Sequence, residues 1–356
     1  MVPHLPPKPE SSYDGWMSFR LVASVPLAFA LLACTGSEPE TGSSWSYPRD
    51  GELRLSDLQA LGTHNSYHLT TEGIYRPEWD YNMAPLDVQL GDQGVRQFEL
   101  DLNFNADLQR FEVYHVGVLD EETTCRLLID CLATQKAWSD AHPAHHPIVT
   151  LLEVKDAVAA VDSTAYLSVL EAEVASVWPR ERLVTPDDVQ RGSASVAEGL
   201  AAEGWPTLGE LRGRALYVLH SDADWRQLYT AGDTETTGRL LFPDGHGDLT
   251  LPVGAVDTLN DPVGDAAAIT AALSAHHLVR TRADSDSNEA RANDPTHADA
   301  ALASGAHFVS TDYPVPRADT GYVVAIPGGS PSRCNPVTAP VDCLSTDIED
   351  PAFVDP

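Results

Sequence analysis

Along most of its 356 residues this chain alternates short β-like runs with helical stretches, and that alternation constrains the fold more than any other feature. The runs are LQALGTH (58–64), VRQFELDL (95–102), IVTLLEVK (148–155), ALYVLHS (215–221), HLVRTRAD (277–284) and HFVSTDY (307–313). Between them CRLLIDCLATQKAWSDAH, STAYLSVLEAEVASVW, DAAAITAALSAH and PTHADAALASG carry apolar residues at helical spacing. Strands separated by helices call for a parallel sheet with helical crossovers. Two weaker strand candidates, around EVYHV (112–116) and RLLF (239–242), would bring the number to eight. The expected fold class is therefore α/β, a single (β/α)8 TIM-type barrel. A doubly wound open sheet is the alternative, but no Gly-rich dinucleotide loop supports it.

The two ends of the chain read differently from the middle. From Met17, MSFRLVASVPLAFALLAC holds one Arg and an apolar run too short to span a bilayer, then small residues. LLAC ending at Cys34 is similar to the lipobox of bacterial lipoproteins, although Leu32 stands where a small residue is usual. Residues 1–33 are thus expected to be a signal segment with its start at Met17, and 34–54 a polar Gly/Ser/Pro tether. The expected location is outside the cytoplasm, as a cell-envelope lipoprotein held by a lipid on Cys34 or as a secreted protein. The barrel is expected over 55–322 and a Pro-rich, disulfide-pinned tail over 323–356. Four further cysteines fall in two close pairs, so local bridges 125–131 and 334–343 are expected in an exported chain. Two other connectivities exist on paper, and the spacings match no zinc pattern.

Hydrophobic residues make up 43% and charged residues 21%, which suits a packed globular core. Lys plus Arg number 22 against 53 for Asp plus Glu, a formal charge of -31. Such a surface repels phosphate backbones and argues against a nucleic-acid partner.

Strands buried on both faces should read as continuous apolar runs, yet several here end in charge on one parity. Glu99 and Asp101 share a face opposite Phe98, Leu100 and Leu102; Glu153 and Lys155 share another, and Arg280, Arg282 and Asp284 a third. In a barrel the apolar parity would face the helices and the charged parity the mouth, where catalytic groups of such barrels gather. Several ionised groups buried together need partners or an ion. Asn65, Glu99, Asp101 and Glu153 offer four oxygen ligands, three of them anionic and none a thiolate, which suits Ca²⁺ in preference to Mg²⁺. His64 and His115 would then be imidazoles beside the cation, and Lys155 would hold a substrate anion or balance the carboxylates. Simpler readings accompany each: His64-Asn65 as a turn with an Asn cap, Glu153 and Lys155 as a plain salt bridge, Arg280 and Arg282 as partners of Asp284. His142, His145 and His146 in AHPAHHP are expected at the surface, in a loop between prolines.

THNSYH, GVRQFELDL, YHVG and HPIVTLLEVK, in that order, resemble the phosphatidylinositol-specific phospholipase C-like phosphodiesterases, in particular their calcium-dependent bacterial branch. With WPTLGELRG, VRTRAD and SGAHFVSTDYP the resemblance extends over roughly 55–316. It implies a TIM-type barrel, His64 and His115 as the catalytic pair, and Asn65, Glu99, Asp101 and Glu153 as Ca²⁺ ligands. Lys155 and Arg282 are the expected substrate-binding residues. The implied reaction is attack by an inositol 2-hydroxyl on its own phosphodiester, with His115 protonating the leaving oxygen, and with His64 stabilising the phosphoryl group and able to take part in proton transfer. The base that removes the hydroxyl proton stays open, Glu99 and Glu153 being candidates. Unlike the eukaryotic pattern, there is no pleckstrin-homology, EF-hand or C2 region, so contact with a membrane surface would come from elsewhere, such as a lipid on Cys34. The expected partner is a phospholipid or other phosphodiester substrate, met by a monomer. A glycerophosphodiester phosphodiesterase or phospholipase D-like lyase on the same barrel is an alternative, and a non-enzymatic Ca²⁺-binding envelope lipoprotein another.

Overall fold

The computed structural model describes residues 45–354 apart from Ser330, so the expected signal segment and Cys34 lie outside the described residues. Eight parallel strands form the frame: β1 (Leu58–Thr63), β2 (Val95–Asn105), β3 (Ile148–Val154), β4 (Ala215–His220), β5 (Leu241–Pro243), β6 (Val256–Thr258), β7 (Leu278–Arg282) and β8 (Phe308–Thr311). Each pairs with its neighbour in sequence, from Leu61 opposite Val95 round to Phe308 opposite Arg280. The ring closes where Ala60 lies opposite Phe308, and a single parallel bridge, Asp244 to Val256, joins β5 to β6. Spatial order follows chain order, as right-handed crossovers dictate.

The six runs legible in the sequence are β1–β4, β7 and β8. RLLF contributes β5, whereas EVYHV does not join the ring. Arg110–Val113 instead turns back antiparallel on the long β2, with Leu102 opposite Val113. The missing strand is β6, three residues long, reached from β5 through residues 244–255 without a helix.

Strand parity sorts the side chains. Phe98, Leu100 and Leu102 pack outward with Leu128, Leu132 and Trp138 of the helix Leu128–Ala141 and Tyr166 of the helix Ser163–Val177. The other parity, including Ala60, Val149, Leu151, Leu216, Val218, Phe242, Leu278 and Phe308, fills the barrel and is plugged by Leu53, Leu55 and Trp205. Followed toward the C-terminal ends, that same inner parity becomes polar: His64, Glu99, Asp101, Glu153, His220, Asp244, Arg280, Arg282 and Asp312. Apolar layers below and charged layers above therefore come from one alternation.

The opposite end is sealed by the chain's last described residues. Arg333–Cys334 pairs antiparallel with Leu58 and Gln59 at the start of β1. Glu349 meets Arg96 Nε at 2.8 Å with both side chains fully buried. Disulfides join Cys125 to Cys131 and Cys334 to Cys343, the two local pairs. The expectation that the AHPAHHP histidines lie on the surface is corrected: His145 and His146 are fully buried. His145 Nε2 lies 2.7 Å from Ser139 Oγ, and His146 Nε2 2.7 Å from Ser332 Oγ. Hydrogen-bond partners, not the flanking prolines, decide where these rings go.

Candidate active site at the barrel mouth

The turn after β1 is built around the His-Asn pair. Gly62 is required because a methyl there would run into Gln97 Oε1 on β2. Asn65 sits at φ +41°, a left-handed conformation that Asn tolerates better than most residues. Ser66 fastens the turn to β2: its backbone N–H donates to Glu99 O at 2.9 Å, and its Oγ accepts from Glu99 N at 2.8 Å. His64 and Asn65 are thereby set beside the ends of β2 and β3.

Strand register sets Asp101 opposite Glu153. One carboxylate oxygen each of Glu99 and Glu153 lies within 4.8 Å of the other and of a His220 ring nitrogen. Asn65 precedes the Ser66 that is bonded to Glu99. Two of the four expected ligands carry unused capacity. Asn65 Nδ2 donates to Tyr81 Oη at 3.2 Å, while buried Asn65 Oδ1 has no partner among the described residues. Neither oxygen of fully buried Asp101 has a hydrogen-bond partner; Lys155 Nζ lies 2.9 Å from Oδ2 as an ion pair but outside hydrogen-bond geometry. Burial and then Glu153 push the Asp101 carboxyl up from its usual range. Glu153 is held low, because Lys155 and His220 outweigh its burial. Orphaned buried oxygens are costly, and a hard cation is the group that satisfies amide and carboxylate oxygens together. The residues present therefore fit Ca²⁺.

Protein cations surround this anionic set. Lys155 Nζ lies 2.9 Å from both Asp101 Oδ2 and Glu153 Oε1, so of its two expected roles the structure displays charge balance. Arg280 pairs with Glu99 rather than with Asp284. Arg282 Nη2 lies 3.0 Å from Asp312 Oδ2 and 4.0 Å from Asp284 Oδ1.

Each histidine of the expected pair is held by a carboxylate. His64 Nδ1 lies 2.8 Å from Asp312 Oδ1. Burial, then Arg282, hold the His64 ring neutral, well below the usual histidine range. His115 stands on the loop after the return strand, its Nδ1 2.8 Å from Asp120 Oδ2. Asp120 also receives His68 Nε2 at 2.9 Å; burial would raise its carboxyl, but His115 and His68 bring it to about 2. Trp79 packs edge-on against His115 with ring centres 5.3 Å apart.

Sequence reasoning missed Asp312, Asp244 and Asp120, and left His220, at the end of its strand, out of the site. Asp312 continues the inner parity of Phe308 and Ser310, and Asp244 that of Phe242, so the alternation that singled out Glu99 and Asp101 could have found both. Asp120 lies in a loop and carried no such signal.

Comparison with known proteins follows the same line. The family described as "Phosphoinositide phospholipase C, Ca2+-dependent" matches residues 103–336. No curated protein matches. Among solved structures, a calcium-dependent phosphoinositol-specific phospholipase C from Pseudomonas sp. superposes with TM-score 0.55 at 20% identity, over 74% of this chain and 92% of that one. Another crystal form of that enzyme gives TM-score 0.57 at 19% identity, over 81% and 97%. A Ca²⁺-dependent phosphatidylinositol-specific phospholipase C from Streptomyces antibioticus gives TM-score 0.54 at 20% identity, over 74% and 95%. At these identities the solved structures speak for the fold, and the family match speaks for descent. The chain belongs to the Ca²⁺-dependent phosphoinositide phospholipase C family, a family of phosphoric diester hydrolases.

Proposed function

We propose that this protein cleaves the phosphodiester of a phosphatidylinositol-type lipid by attack of the inositol 2-hydroxyl, releasing diacylglycerol and a cyclic inositol phosphate. The single observation that carries this reading is the pair of buried groups without hydrogen-bond partners among the described residues, Asn65 Oδ1 and the Asp101 carboxyl, the latter opposite Glu153. Asn65, Glu99, Asp101 and Glu153 would hold Ca²⁺. When bound, the ion supplies Lewis-acid stabilisation of a non-bridging phosphoryl oxygen and acidifies the nearby hydroxyl.

The chain's own residues do the rest. With Nδ1–H donated to Asp312 and the ring neutral, His64 Nε2 keeps a lone pair free to accept the hydroxyl proton. His115, entering the step as an imidazolium with its Nδ1–H donated to Asp120, gives its Nε2 proton to the leaving glyceride oxygen and leaves the step neutral. Arg282, anchored on Asp312, and Lys155 supply positive charge where a phosphodiester anion enters. An intramolecular nucleophile gains from enforced proximity, so the site need only orient, not assemble, the two reacting groups. No helix among the described residues is long and apolar enough to cross a membrane. Export, with the lipid substrate met at a membrane surface, is part of this proposal.

³¹P NMR of phosphatidylinositol incubated with the protein tests it. A cyclic inositol phosphate resonance should appear with Ca²⁺ and be absent in EGTA. Full turnover in chelator, or phosphate left on the glyceride, would contradict the reading.

A further inference from the structure

His220 ends β4 with a ring orientation that the reading above does not use. Its Nδ1 lies 2.6 Å from Asp244 Oδ2 at the end of β5. Asp244 is fully buried and itself fixed: its Oδ1 accepts from His246 N at 2.9 Å and Thr258 N at 3.0 Å, and its Oδ2 from Thr258 Oγ1 at 2.5 Å. Neighbouring His246 is spent on other contacts, Nε2 at 2.9 Å from Ser221 O and Nδ1 at 3.1 Å from Thr258 Oγ1. His220 Nε2 has no hydrogen bond among the described residues and faces Glu153 Oε2 across 3.9 Å. That gap is too wide for a direct hydrogen bond, which closes to about 2.7–2.9 Å between charged partners. One ligand atom each from Glu99, Glu153 and His220 lie within 4.8 Å of one another.

An imidazole whose far nitrogen is fixed by a buried carboxylate, and whose near nitrogen points at two carboxylates, has the geometry by which proteins present histidine to a metal. We propose that His220 is a nitrogen ligand of the cation site and raises its affinity for first-row transition dications, for which Mn²⁺ serves as the spectroscopic probe, in competition with Ca²⁺. The inference rests on the cation site proposed above. Oxygen-only sets suit Ca²⁺, whereas adding an imidazole shifts preference toward ions that accept both nitrogen and oxygen donors. Asp244 acts through His220 as its positioning residue, and binding the dication displaces any proton on Nε2.

Pulsed EPR of the metal-stripped protein reloaded with Mn²⁺, together with titrations of Mn²⁺ and Ca²⁺, tests this without reference to activity. Wild type should show ¹⁴N modulation from a directly bound imidazole. In His220→Gln the modulation should vanish and Mn²⁺ affinity fall about 10- to 100-fold, with Ca²⁺ affinity little changed. His64→Gln should retain the modulation, which keeps the assignment testable should the first variant fail to fold. Wild-type Mn²⁺ without ¹⁴N modulation, modulation that survives in His220→Gln or is lost in His64→Gln, or equal loss of both cations, overturns the proposal while leaving the Ca²⁺ site standing. Failure of wild type to bind either ion overturns the cation site itself and the inference with it.

Discussion

Single residues at the mouth carry separable duties. Removing a general acid typically costs about 10²–10⁴-fold in rate, so His115→Ala should lose at least the lower figure on a phosphoinositide. Circular dichroism should stay unchanged, since His115 lies on a loop outside the core. Near-wild-type turnover would remove it from its role. Lys155 belongs to a different class, a counter-charge for Asp101 and Glu153. Lys155→Met leaves two carboxylates facing each other, so melting of the variant in EGTA should fall below wild type, and added Ca²⁺ should raise it by more than it raises wild type. Equal shifts in the two proteins would mean that Lys155 and the ion do not share those oxygens.

Elements explain why some of this was legible and some was not. Runs such as ALYVLHS, with five apolar residues in succession, announce themselves by continuous apolarity between turn residues. Strands β5 and β6 are three residues each, and β6 includes buried Asp257 and Thr258, so no apolar run marks it. Parity placed Glu99, Asp101 and Glu153 at the mouth because alternation along a strand is local. Pairings across the barrel, such as Arg280 with Glu99, depend on the closed ring and have no local trace. AHPAHHP misled for a related reason: His146 is held by Glu349 and Ser332, 203 and 186 positions away. That end of the fold yields its own prediction. Glu349→Ala strands Arg96 in the interior, and breaking a buried pair from one side costs about 3–5 kcal/mol. The urea midpoint should fall accordingly, and a shift no larger than that of a surface substitution would show that the terminal segment does not close the barrel.

For the whole molecule the -31 charge and the buried histidines set the response to pH. Burial lowers His145 to about 3 and His307 to about 4, and lowers His146 well below its usual value. These rings are neutral in the fold but bind protons once unfolded, near pH 6.5. Their contribution is therefore intact above that pH and is lost as pH falls toward the folded values. Each buried neutral histidine costs up to about 1.4 kcal/mol per pH unit in that window. Between pH 6.5 and 4.5 the urea midpoint of the metal-free protein should lose less in His307→Gln than in wild type; identical pH slopes in the two proteins would contradict the neutral state assigned to that ring. Above this stability question stands the functional one, whether side chains from three separate strand ends act together on one ion. Calorimetric titration of chelator-stripped protein with Ca²⁺ answers it, comparing wild type with Asp101→Asn, an isosteric change at a buried carboxylate. One ion per chain in wild type, bound at least about tenfold more weakly in the variant, is the predicted result. Unchanged affinity and stoichiometry in Asp101→Asn would contradict it.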